Sequence, residues 1–148
     1  GIRYMGNGIK VYYLPLKPTK VNIVIPEPAL ATLDLVRTIA ISEDIQVFHT
    51  HQATSALSLS IIMISANLGI SCVTTDHSLF AFDDLACVNI NKVMTVLYKD
   101  ADQCVEVSYI GKENLSMRAN LPLDKIHVVA NCIDFSKFKP LCSRDEDS

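Results

Sequence analysis

Two histidines one residue apart, His49 and His51, close one apolar run, and a third, His77, closes the next inside Thr75-Asp76-His77-Ser78. Imidazole gains and loses its proton near neutral pH. It can therefore act as a general base or donate a hydrogen bond to an anionic sugar-phosphate. On an extended strand residues i and i+2 share a face, which sets His49 beside His51. Parallel strands leave their functional groups at their carboxyl ends, facing one crevice. Both clusters are thus expected to open onto one cleft, although twenty-five residues lie between His51 and His77. Asp76 and Ser78 are expected either beside His77 in that cleft or as caps of the next element. H-x-H is a short motif. A core histidine bonded to backbone, or an ordinary polar loop, accounts for either cluster alone; the two together favour a site.

The elements that must carry these groups alternate. Residues 9–14 are β-branched and aromatic, and Pro15 stops them, which reads as a strand. Residues 17–28 contain three prolines and read as a loop, with 21–25 open to an extended form. Pro28 opens a helix running to Ser42, with Leu30, Leu33, Val36 and Ala40 as its apolar stripe. A short buried strand over 45–49 follows. The next helix, over 53–68, shows Leu57, Ile61, Ile64 and Leu68 on one face and is closed by Gly69. Further strands are expected at 70–75, 103–107 and 126–130, and further helices at 85–99 and, after a Ser108 cap, up to Ala119. Single helices between strands imply βαβ units with right-handed crossovers. The expected class is therefore α/β, a Rossmann-like parallel sheet with helices on both faces. Leu79, Phe80 and Phe82, in the loop after His77, either line a ligand pocket or pin that loop to its own core.

The 148 residues suit one domain, and 49% hydrophobic content with a mean hydropathy of +0.27 fits a well-covered sheet. A formal net charge of −3 with scattered Lys and Arg offers no basic stripe, so no nucleic-acid partner is expected. Residues 52–75 carry no formal charge and imitate a membrane span, but Asn67-Leu68-Gly69 breaks them; helix plus strand explains the hydropathy. The cysteines, Cys72, Cys87, Cys104, Cys132 and Cys142, are odd in number and lack zinc spacing. Cys72, Cys104 and Cys132 are expected as buried thiols in a reducing compartment. Glu106 and Glu113 are expected on a strand and a helix respectively, too far apart to share a site. His127 is expected to be structural, without polar company. Asn131 and Asp134 suit a tight turn leaving the sheet, and residues 141–148 a polar tail.

Several stretches together resemble one family: Gly1-Ile2-Arg3-Tyr4, Lys10-Val11-Tyr12-Tyr13-Leu14-Pro15, Thr75-Asp76-His77-Ser78-Leu79-Phe80, and Val107-Ser108-Tyr109 with Lys112-Glu113-Asn114. In this order they resemble the catalytic subunits of phosphatidylinositol N-acetylglucosaminyltransferases, which open glycosylphosphatidylinositol (GPI) anchor synthesis. The likeness spans residues 1–140. It implies an incomplete GT-B N-terminal domain, the acceptor-side domain, spanning 1–140. The acceptor would be phosphatidylinositol, the donor UDP-N-acetylglucosamine held mainly by a C-terminal domain, and transfer would proceed with retention and without metal or other cofactor. Other subunits of a transferase complex, at the cytosolic face of the endoplasmic reticulum membrane, are the implied partners.

The resemblance places His51 at the donor sugar, His49 before it in the same motif, and His77 in the following loop. His51 and His77 are thereby the implied catalytic residues, and His49, Asp76 and Ser78 the substrate-binding ones. The family's opening strand with its glycine-rich loop, its nucleotide-binding domain with a Glu-x7-Glu pair, and its hydrophobic anchor are not found in these residues. A first βα unit is accordingly expected to be missing, and the chain alone is expected to be inactive. Two other readings stay open: a non-catalytic module docking on a membrane-associated transferase complex, and a flavodoxin-like small-molecule binder.

Overall fold

A computed structural model describes residues 1–14, 29–82 and 85–138, with the side chains of 29–32 and 85–86 excepted. The expected loop at 17–28, its extended option at 21–25, the helical start at Pro28, Cys142 and the tail at 141–148 lie outside the described residues.

The chain opens with a hairpin, β1 (Ile2–Tyr4) against β2 (Lys10–Tyr12), paired antiparallel with Ile2 opposite Tyr12. The turn between them is closed by Gly8 N–H donating to the Met5 carbonyl, and Gly8 takes a φ of +84°, which a side chain would resist. β2 was expected from its β-branched residues; β1, three residues long, was not. Helix α1 (Ala29–Ser42) follows. Glu43, just past its end, accepts hydrogen bonds from Lys10 Nζ (2.6 and 2.7 Å) and Tyr12 Oη (2.6 Å), fastening the hairpin to it.

The rest is βα repetition: β3 (Val47–His51), α2 (Ala56–Leu68), β4 (Ser71–Asp76), α3 (Leu85–Leu97), β5 (Gln103–Glu106), α4 (Tyr109–Ala119), a 3-10 turn (Leu123–Lys125) and β6 (Ile126–Val128). The four strands are parallel in the order β3-β4-β5-β6, which is the expected α/β, Rossmann-like class. Cys72, Cys104 and Ile126 point to one face of the sheet. They join Leu59 and Ile62 of α2, Ile90, Met94 and Leu97 of α3, and Leu115 and Ala119 of α4 in one core. Of the two helix layers expected, the described residues supply this one. On the other face His49, His51, Gln103 and His127 are exposed.

Local chemistry explains the ends of the elements. Ser55 caps α2, its hydroxyl accepting from Ser58 N (3.3 Å), and Gly69 ends it in the left-handed conformation at φ +67°. Ser108 caps α4 through Gly111 N (3.0 Å), as expected. The stripe expected on α2 is corrected. Leu59, Ile62 and Ile64 are the buried apolar residues there, with Ser58, Ser60 and Ser65, whereas Leu57, Ile61 and Leu68 are half-buried. A helix apolar nearly all round has no single stripe to read. Its serines tolerate burial because each hydroxyl finds a backbone carbonyl: Ser58 that of His51, Ser60 that of Ala56, Ser65 that of Ile62. No helix among the described residues is long and apolar enough to cross a membrane.

Candidate functional site

β3 continues two residues beyond the expected end, so both histidines lie within the strand, His49 opposite Val73 and His51 opposite Thr75 of β4. Thr50 between them turns to the helix side and is buried, as strand alternation requires. His49 and His51 accordingly emerge on the same open face, ring centroids 4.5 Å apart. β4 ends at Asp76, and His77 is the first residue past it. Its ring stacks on that of His51 at 5.3 Å, the planes 17° apart, and His51 Nδ1 lies 3.0 Å from His77 Nε2. The three imidazoles thus meet at the carboxyl ends of two adjacent strands. His49 is steadied by Thr75, Nε2 to Oγ1 at 2.7 Å.

The His51–His77 contact requires one ring to donate and the other to accept, so both cannot be cationic while it persists. Burial, then repulsion from His49 and from His77, holds His51 below the ordinary histidine range near 6.5. His51 is therefore neutral at neutral pH. When His77 donates to its Nδ1, the proton of His51 sits on Nε2, a donor for an anionic oxygen. When His51 donates instead, its Nε2 is a free base.

Asp76 faces the other way. It is 1% exposed on the helix side, one carboxylate oxygen 3.3 Å from Arg118 Nη1, the other accepting from Ala53 N (3.3 Å) and His77 N (2.9 Å). It fixes the turns that carry the histidines rather than lining the open face. Ser78 accepts from Gln52 Nε2 at 2.8 Å. Phe80 is pinned as the second option for this loop required. Its backbone N–H and carbonyl both bond Asn114, and its ring lies 4.5 Å from the Arg118 guanidinium carbon. Leu79 and Phe82, by contrast, are exposed.

Arg118 and Gln52 were not singled out from the sequence, and Thr75 and Asn114 were named only as members of longer stretches, with no role of their own. The helix that carries Arg118 also holds Lys112, Glu113, Asn114 and Ser116, so its pattern gives no local sign that this one charge is buried.

Glu106 lies directly across from Asp76 in the sheet and is 1% exposed. Arg118 already pairs with Asp76, and Oε1 of Glu106 finds no hydrogen-bond partner. Burial, reinforced by the Asp76 charge against the opposing pull of Arg118, pushes the Glu106 carboxyl up to about 7. Glu113 is exposed on α4, so the two glutamates share no site.

Three expectations are corrected. His127 has polar company, its Nε2 2.8 Å from Gln103 Oε1, because both residues project from the open face. Cys132 is exposed, since the chain has left the sheet by then, while Cys72 and Cys104 are buried. The exit turn is built by Asp134 rather than Asn131, the Asp134 carboxylate accepting from Ser136 N and Oγ. Among the described residues no group of three or more His, Cys, Asp or Glu is arranged to hold a metal ion.

Comparison with known proteins adds to this geometry. Residues 1–84, which include all three histidines, match the family model described as PIGA (GPI anchor biosynthesis). The chain is 40% identical over 144 residues to a phosphatidylinositol N-acetylglucosaminyltransferase subunit of Arabidopsis thaliana, covering 97% of this chain and 32% of that protein. The Homo sapiens subunit of the same name is 38% identical over 148 residues, covering 100% and 30% respectively. The GPI3 subunit of the Saccharomyces cerevisiae transferase is 33% identical over 140 residues, covering 95% and 31%. The chain thus spans about a third of the length of the curated relatives it matches.

Proposed function

The chain belongs to the PIGA (GPI anchor biosynthesis) family, and from that premise we propose that it forms part of a transferase acting in the first step of GPI-anchor assembly. In this reading residues 1–140 are the acceptor-side, Rossmann-like part of a two-domain enzyme. The reaction moves N-acetylglucosamine from UDP-N-acetylglucosamine to an inositol hydroxyl of phosphatidylinositol, with retention at the anomeric carbon and without a metal or other cofactor. The relatives' names, each a subunit of a phosphatidylinositol N-acetylglucosaminyltransferase, support the acceptor, the sugar and the presence of further subunits. The same reading sets the enzyme at the cytosolic face of the endoplasmic reticulum membrane.

The observation that carries the site is the 3.0 Å contact between His51 and His77 at the carboxyl ends of β3 and β4. A neutral His51, braced by its neighbour, can offer Nε2–H to a sugar or diphosphate oxygen as charge develops on the departing nucleotide. His77 and His49 hold that ring in place and exclude alternative rotamers. Asp76 acts from behind, through its bonds to the Ala53 and His77 backbone. Closure of a second, donor-binding domain over the open face would expel water and align the inositol hydroxyl with the anomeric carbon.

The test expresses the full-length protein in cells lacking their own PIGA-family protein. Their membranes are supplied with labelled UDP-N-acetylglucosamine and phosphatidylinositol. The expected result is N-acetylglucosaminyl-phosphatidylinositol with the α configuration retained, and none with phosphatidylcholine as acceptor. Absence of that product, with the protein present and assembled, would refute the proposal.

A further inference from the structure

Gln52 follows His51 and has a φ of +75°, in the left-handed region where glycine is at ease and a Cβ is strained. Its backbone roles do not need a side chain. The N–H continues the ladder to the Thr75 carbonyl at 2.9 Å, and the carbonyl accepts from Ser55 N at 3.1 Å, just ahead of α2. Glycine would serve both with less strain. The side chain instead makes a bond of its own, Nε2–H donating to Ser78 Oγ at 2.8 Å in a half-buried setting.

That bond is the next rung after the His51–His77 contact. His51 ends β3 and Gln52 follows it, while His77 and Ser78 follow β4, and the side chains meet in order, His51 with His77 and Gln52 with Ser78. We infer that Gln52 is a positioning residue of this site, its amide clasping Ser78 so that the turns after β3 and β4 hold the two imidazoles in contact. The backbone strain at Gln52 is tolerated because the amide has that function. Asp76 ties the two turns from the helix side through Ala53 N and His77 N, and the Gln52–Ser78 bond adds a side-chain tie next to the rings, where ångström-scale drift is enough to misplace a catalytic group.

The kinetic part of the test rests on the transferase reading; the spectroscopic part does not. In the full-length protein assembled in its complex, Gln52→Gly, Ser78→Ala, the double variant and His51→Ala are assayed for N-acetylglucosamine transfer to phosphatidylinositol. Gln52→Gly and Ser78→Ala should each lower kcat by about tenfold or more, with KM for donor and acceptor within about twofold. The double variant should be no slower than the slower single one, because both remove the same bond. Gln52→Gly should melt no lower than the parent, since it relieves the backbone.

In parallel, the His51 ring is titrated by NMR with carbon-labelled histidine. Burial, then repulsion from His49 and from His77, depresses the His51 midpoint, so loosening the ring from its neighbours in Gln52→Gly should raise it toward the ordinary value. A Gln52→Gly protein with an unmoved His51 midpoint overturns the clasp, whatever the activity does. So does one with parental kcat in an assay where His51→Ala is inactive. If His51→Ala transfers at the parental rate while the Gln52→Gly midpoint still rises, the clasp stands and the transferase role of the histidines falls.

Discussion

Glu106→Gln isolates the most strained electrostatic feature of this fold. Two carboxylates, Asp76 and Glu106, lie side by side under the sheet's end with one cation, Arg118, which pairs with Asp76. A rise of the Glu106 carboxyl from its ordinary 4.5 to about 7 corresponds to about 3 kcal/mol. Because the folded-state value lies above the unfolded one, the unfolded chain releases this proton first as pH rises. The native state therefore keeps its full stability, as far as this group matters, below about pH 4.5. It loses that stability progressively as pH rises through about 7, where the penalty becomes complete.

Glutamine has nearly the same shape and is neutral throughout. Urea unfolding of parent and variant should give similar stabilities near pH 4, whereas near pH 8 the variant should be more stable by up to about 3 kcal/mol. For a chain of this length that is a rise in Tm of roughly 5–10 °C. A parent–variant difference that stays constant between those pH values would refute the reasoning, as would a variant less stable than the parent near pH 8.

Three further outcomes are expected. Arg118→Met leaves Asp76 buried without its counter-ion, at 0% side-chain exposure for both partners, and should cost about 3–5 kcal/mol in urea unfolding at neutral pH. Gly69→Ala adds a Cβ that meets nothing within 4 Å, so its cost is the left-handed backbone alone, about 1 kcal/mol by the same measurement. His49→Ala removes one like-charge neighbour of His51 and should raise the His51 titration midpoint, followed by NMR; a midpoint that falls would contradict the assignment of that neighbour.

The βαβ order and the helices were legible because their signals are local: Ser108 at a helix start, Gly69 at an end, apolar runs between; the Ser55 cap, two residues inside the expected start of α2, was not read. The meeting of His49, His51 and His77 was legible for a different reason. Parallel register carries the ends of neighbouring strands to one place regardless of the sequence between them.

What stayed hidden is pairwise and long-range. Nothing near Asp76 announces Arg118, 42 residues on, which takes its carboxylate away from the open face. Glu106 looked like an ordinary strand residue, yet its burial beneath Gly111, where even a Cβ would come within 2.5 Å of Oε2, is set by how α4 crosses β5. Gln52 is invisible without its dihedral. The hairpin strand β1 was missed because Ile2–Tyr4 is too short to show alternation, and the α2 face because its serines satisfy their hydroxyls within the backbone.

The most direct measurement is the rate of N-acetylglucosamine transfer to phosphatidylinositol by the full-length complex carrying His51→Ala, with assembly and melting temperature verified as parental. If a braced, neutral imidazole serves the reacting oxygens, the rate should fall by roughly a hundredfold or more. A parental rate in that folded, assembled variant would contradict the account.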